Sequence, residues 1–188
     1  MDEILEKVEV FARDAHGEQR RKFVDEPFLN HPVRVMKLCG EYTDDLNILC
    51  AALLHDVLED TEISKANLMQ FLESISGREC ACQIIKLVEE LTDIYSKKNY
   101  PKLNRRQRKT KEAKRLSLAS SASQTIKYAD IIDNSTDILN AEPDFARLFL
   151  YECNNLLKVM TSGNAYLRQK AIETVRTCIK KQKQSKPG

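Results

Sequence analysis

Tryptophan is absent from this 188-residue sequence, and glycine and proline are scarce, at five each. So few chain breakers exclude a fold of many short strands joined by tight turns. Abundant Leu, Ile, Ala, Lys and Glu favour helices instead. No stretch reads as a strand, no segment repeats, and no glycine-rich loop suited to cradling phosphate is present. No apolar run reaches the roughly 18 residues that a membrane span needs. The first residues, MDEILEKVEVF, are charged and amphipathic and lack the apolar core of a signal peptide. The six cysteines form no CxxC pair, and the spacing of Cys80 and Cys82 is not that of a zinc knuckle. They read as reduced core or boundary thiols of a cytoplasmic protein. A net charge of +2 is too small to imply nucleic-acid binding by itself.

What remains is a chain that is 42% apolar and 31% charged, the balance of a globular protein. Its length suits one all-α domain, taken as residues 1–180, followed by a basic tail, 181–188, expected to fray. Apolar periodicity and capping residues mark roughly eight or more helices. The first runs from about Glu3 to a stop near Gly17. The next starts at Asn30-His31-Pro32, with His31 at the cap and Pro32 at the first helical position. Asp44 or Asp45 caps a third helix that is apolar nearly all round and therefore central. Ser64 caps a fourth, stopped by Gly77, and a fifth follows to about Thr92. Asn104, the serines at 120–123, Asp144 and Asn164 open the remainder.

The chain is organised around AALLHDVLEDT, residues 51–61. Here a buried helical run ends in His55 and Asp56, with Glu59 and Asp60 one turn on. On a helix, positions four apart share a face, so His55 stacks with Glu59, and Asp56 with Asp60. Charge gathered at the rim of an apolar core is costly unless a cation or partner balances it. Taken alone, His-Asp is more often an ordinary solvated helix end, and a lone His31 is more often structural than a ligand. Asp130, Asn134 and Asp137, at i, i+4 and i+7, line one helix face, either a site wall or a solvated stripe. Arg20, Arg21 and Lys22 are either a solvated helix end or anion-binding groups. Residues 97–115 hold ten Lys or Arg against the single acid Glu112. They lack the repeated aromatic–basic alternation of a base-stacking platform, which argues against nucleic acid. A few of these cations, Lys102 among them, could reach an oligophosphate.

The order His31, His55-Asp56, Asp130 resembles that of the HD phosphohydrolase superfamily. Five blocks narrow the likeness: AHGEQRRK (15–22), PFLNHP (27–32), residues 51–61, LVEELT (87–92) and KYADIIDN (127–134). Together they resemble the hydrolase domain of RelA/SpoT-type alarmone enzymes from about residue 3 to about 160. The compact length and the Lys102-Leu-Asn-Arg-Arg segment are most similar to the stand-alone small alarmone hydrolases.

The resemblance implies an all-helical HD-domain fold holding one Mn²⁺ through His31, His55, Asp56 and Asp130. It implies that Glu59 and Asp60 position and activate the attacking water, with Arg20, Arg21, Lys22, Lys102 and Asn134 at the substrate. The implied reaction removes pyrophosphate from the 3′ position of the guanine nucleotide (p)ppGpp. No synthetase-type domain follows in these 188 residues, so hydrolysis alone is expected. Ile131, Ile132, Asp133, Ser135 and Thr136 depart from the family pattern beside the expected pocket and bear on which nucleotide is preferred. The competing readings are an HD phosphohydrolase of another nucleotide and a non-catalytic nucleotide or metal sensor. The sequence does not give the oligomeric state.

Overall fold

The computed structural model describes residues 3–184. Among them are nine α-helices and no strand; one isolated antiparallel bridge joins Arg20 and Pro27. The chain forms two compact helical units. One comprises Met1–Arg21 and Asp25–Thr92, the other Lys22–Val24 and Asp93–Gly188. None of the described helices is long and apolar enough to cross a membrane.

The first unit is built on α3 (Leu46–Leu54), which packs against α1 (Glu3–His16), α2 (Asn30–Gly40) and α5 (Lys65–Leu91). Asp45 caps α3 by accepting from the Asn47 backbone N–H at 2.9 Å. Five consecutive residues, Cys50 to Leu54, are fully buried, as an all-round apolar helix requires. Burial of Leu53 or Leu54 stabilises the unit by about 1.5–3 kcal/mol each. Gly17 ends α1 at φ +50°, and Gly77 breaks α5 at φ +78°, so each reading of a glycine stop holds. Ser64 caps α5 through the Asn67 N–H.

Two details differ from expectation. His31 is the second residue of α2 rather than its cap; Leu29 occupies the cap and lends no side-chain hydrogen bond. Pro32 still lies in the first turn, where its missing N–H is not needed. The helix bearing His55 is also not continuous. It stops at Leu54, and a four-residue helix, α4 (Val57–Asp60), starts after Asp56.

In the second unit α7 (Ser121–Asp137) packs against α9 (Ala165–Gln184), and α8 (Pro143–Val159) packs against α6 (Arg105–Leu116), α7 and α9. Asn104 and Gln107 form a capping box at the start of α6. The turn at Gly163 lies directly on α7. A Cβ there would meet Tyr128 Cε2 at 2.5 Å and the Thr125 nitrogen at 2.8 Å, so only glycine permits the approach. The Tyr128 hydroxyl donates to the Met160 carbonyl at 2.9 Å and fixes the same turn. Fraying was expected from residue 181, yet α9 continues to Gln184; residues 185–188 lie outside the described residues. None of the six cysteines is in a disulfide, and four of them are buried.

Candidate active site

The break between α3 and α4 places the first group of functional side chains. The His55 Nε2 lies 3.2 Å from Asp56 Oδ2, and the His31 Nε2 lies 3.5 Å from the same oxygen. The two imidazoles meet edge to face with centroids 5.1 Å apart. Ligand atoms of His31, His55 and Asp56 all fall within 4.8 Å of one another. Both histidines are buried, at 1% and 2% exposure. The His55 Nδ1 is 2.8 Å from the Ala52 carbonyl, which can only accept. The proton therefore sits on Nδ1, and Nε2 presents its lone pair towards Asp56, the arrangement typical of a ligating histidine. Two imidazole nitrogens and a carboxylate oxygen form a mixed donor set that suits a divalent ion such as Mn²⁺, Zn²⁺ or Fe²⁺.

Glu59 and Asp60 sit on α4, their N–H groups bonded to the Asp56 carbonyl at 3.1 and 2.8 Å. Both are exposed at the surface. Partial burial, followed by the nearby Asp56 carboxylate, nonetheless pushes the Asp60 pKa above the usual carboxylate range. Positive charge on His16, His55 or His31, were these rings protonated, would act the other way.

The basic run divides between the units. Arg20 pairs with Asp25, its Nε at 3.0 Å and its Nη2 at 2.5 Å from Oδ1. The Arg21 guanidinium lies over the Phe28 ring at 5.7 Å. Both arginines are held by a tight reversal in which Arg21 N–H donates to Glu26 and Phe28 N–H to Gln19. Lys22 belongs to the second unit, where its ammonium lies 5.4 Å from the Phe145 ring and the Arg105 guanidinium lies 5.3 Å from it. Arg105 is itself held by a two-pronged pair with Glu152, both bonds 2.8 Å. Lys102 is exposed in the turn before α6.

Asp130 lies in the second unit at 5% exposure, on the face of α7. Lys127 Nζ is 2.7 Å from its Oδ2, and the Asn134 amide donates to its Oδ1. Asp130 and Asn134 therefore act together, as their i, i+4 spacing implies. Beneath them the Cys153 thiol is pushed up to about 12 by burial and then by the Asp130 charge. Of the departures from the family pattern, Ile131 and Ser135 are buried, and the exposed Thr136 donates its hydroxyl back to the Ile132 carbonyl at 3.2 Å.

Sequence reasoning gave no role to His16, Gln19, Glu112 or Lys127. The first two stand inside the AHGEQRRK block, which was the available signal. Glu112 drew notice only as the one acid of a basic segment. It is 2% exposed and accepts from the Ile94 and Tyr95 N–H groups at 2.5 and 2.7 Å and from Arg115 Nε at 2.7 Å. Its carboxylate anchors the start of the loop that leads to α6.

A family model described as HD domain matches residues 9–156. The chain is 34% identical over 141 residues to a Mycoplasma pneumoniae protein named probable guanosine-3′,5′-bis(diphosphate) 3′-pyrophosphohydrolase. That match covers 72% of this chain and 18% of the other's length. It is 33% identical over 137 residues to human MESH1, named guanosine-3′,5′-bis(diphosphate) 3′-pyrophosphohydrolase, covering 71% of this chain and 69% of that one. A solved metazoan SpoT orthologue, described as hydrolysing ppGpp with a role in starvation responses, matches at a TM-score of 0.77 and 25% identity. The match covers 94% of this chain and 96% of the orthologue. With helices, motif order and most of its length in agreement, the chain belongs to the HD-domain family, among the relatives of the MESH1 and SpoT-type proteins.

Proposed function

We propose that this protein is a metal-dependent phosphohydrolase that removes pyrophosphate from the 3′ position of (p)ppGpp, yielding GDP or GTP. The observation that carries the reading is the convergence of His31, His55 and Asp56 within 4.8 Å, beside the Glu59-Asp60 pair, in a chain 33% identical to a human protein that carries that activity's name. One divalent ion, Mn²⁺ by preference, would be held by these three residues together with Asp130. When bound, it would lower the pKa of water and polarise the phosphoryl centre.

The chain's own residues do the rest. The Ala52 carbonyl keeps the His55 proton on Nδ1, so that Nε2 remains a donor to the ion. The Glu59 and Asp60 carboxylates orient the attacking water and take its proton. Lys127 and Asn134 hold Asp130 in one orientation. Arg20, Arg21, Lys22 and Lys102 offset the several negative charges of a bis-diphosphate nucleotide, the arginines through their bidentate forks. Catalysis by residues 1–180 as one domain, in the cytoplasm and with no nucleic acid or membrane involved, completes the reading.

A second substrate class is favoured by Asp133 and Ser135-Thr136, which stand where the alarmone enzymes carry other residues: an HD phosphohydrolase of another nucleotide. Purified protein given ppGpp beside a panel of deoxynucleoside triphosphates, NADPH and phosphomonoesters separates the two. Pyrophosphate release confined to ppGpp supports the alarmone reading; turnover of another nucleotide alone overturns it in favour of the second.

A further inference from the structure

His16 closes α1 and has no place in the ligand set, yet it is 3% exposed. Its ring stacks on Phe28 with centroids 4.5 Å apart, Phe28 meets His31 edge-on at 6.1 Å, and His31 meets His55 at 5.1 Å. A row of four rings thus runs from α1 to the metal-type ligands. The hydrogen bonds along it fix the His16 proton. Gln19 Nε2 donates to the Asp60 carbonyl oxygen at 2.8 Å, so the Gln19 Oε1 is the atom 2.9 Å from His16 Nδ1. An amide oxygen only accepts, so Nδ1 carries the proton and Nε2 carries a lone pair. That Nε2 is buried and meets no hydrogen-bond partner in the protein. A buried acceptor left unmet is destabilising, and such atoms in native proteins call for an ordered donor.

Gln19 ties the Asp60 backbone carbonyl to the His16 ring. No direct hydrogen bond joins the two side chains. We propose that His16 is a positioning residue for Asp60. A water molecule donates one hydrogen to His16 Nε2 and the other to the Asp60 carboxylate, and Gln19 locks both ends. The water has two protons and the pair offers two acceptors, so the arrangement satisfies both. It leaves the second Asp60 oxygen free to face the reacting water. The inference rests on the assignment of Asp60 to the chemistry.

Two experiments on the full chain test it. The first is a kinetic cycle of wild type, His16→Phe, Asp60→Asn and the double variant. Phenylalanine keeps the stack on Phe28 and removes both nitrogens. The expected result for His16→Phe is a fall in kcat of roughly 10- to 100-fold, as for other positioning partners, with KM and bound metal unchanged. The double variant should be no slower than Asp60→Asn alone. Wild-type kcat in His16→Phe, or a further full loss in the double variant, overturns the proposal.

The second experiment is the long-range ¹H–¹⁵N NMR correlation of His16 in wild type and in Asp60→Asn, which needs neither turnover nor a stable His16 variant. An Nδ1–H tautomer whose Nε2 resonance moves in Asp60→Asn is the expected result. An Nε2–H tautomer, or an Nε2 resonance indifferent to Asp60→Asn, overturns the proposal. A protein that turns over no nucleotide contradicts the phosphohydrolase reading, while the NMR result still decides the role of His16.

Discussion

His55 and Asp56 are neighbours in the chain, yet Nε2 of one and Oδ2 of the other lie 3.2 Å apart and converge on His31. On an unbroken helix adjacent side chains diverge by about 100°. The stop of α3 at Leu54 and the restart of α4 at Val57, with Asp56 at φ −97°, ψ −8°, turn the two towards one point. Asp56 is the oxygen common to both histidine contacts. Asp56→Asn should weaken Mn²⁺ binding by more than the roughly 100-fold that loss of a supporting residue costs, with the helical far-UV spectrum unchanged. Calorimetric titration of metal-stripped protein measures it.

Glu59 and Asp60 are expected to act on water rather than on the ion. Glu59→Gln and Asp60→Asn should each lower kcat by roughly 10²- to 10⁴-fold while the protein retains its metal. Metal analysis of the same samples used for rate measurements separates this from loss of the ion, which would place the acids in the ligand set.

Much of this arrangement was legible in the sequence, because it depends on local chemistry. The caps at Asp45, Ser64, Asn104 and Asn164, the stops at Gly17 and Gly77, and the central α3 follow from residue types that solve a backbone problem in one way. The convergence of His31 on His55 and Asp56 was legible only through the order of motifs, since periodicity carries no information on which helices meet. The break at residues 55–56 was hidden by an apolar run that reads as one helix. The roles of His16 and Gln19 depend on a hydrogen bond to a backbone 41 residues away, which no local pattern encodes. Glu112 looked like one acid among ten cations, and only burial distinguishes it.

Glu112 holds two loop N–H groups and the Arg115 guanidinium. Glu112→Ala removes the acceptor and leaves buried donors and a cation unmatched. A loss of about 3 kcal/mol is expected, read as a lower urea midpoint with the slope unchanged. A change within 0.5 kcal/mol, the range usual for surface substitutions, would mean that water replaces the carboxylate.

Asp93 is expected to contribute to the acid dependence of stability in the second unit. Burial alone would raise its pKa, but Lys109, at 2.8 Å, with Lys127 and Arg115 outweighs burial and holds it below the ordinary value. An acid bound more strongly as its anion in the folded state contributes stability above its unfolded pKa, about 3.9. That contribution is lost as pH falls through the lower folded value. Asp93→Asn should therefore be less stable than wild type at neutral pH, and the difference should shrink as the solution is acidified below about pH 4. Thermal melts across an acid series measure it; a constant difference would remove Asp93 from the pH response.

The most direct measurement is product analysis with purified, metal-stripped protein given ppGpp, with and without added Mn²⁺, beside Asp56→Ala. Release of pyrophosphate and GDP that requires Mn²⁺ and vanishes in Asp56→Ala is the expected result. Metal bound at His31, His55 and Asp56 with no pyrophosphate released, or release that persists in Asp56→Ala, would contradict the assignment of this site as the hydrolytic centre.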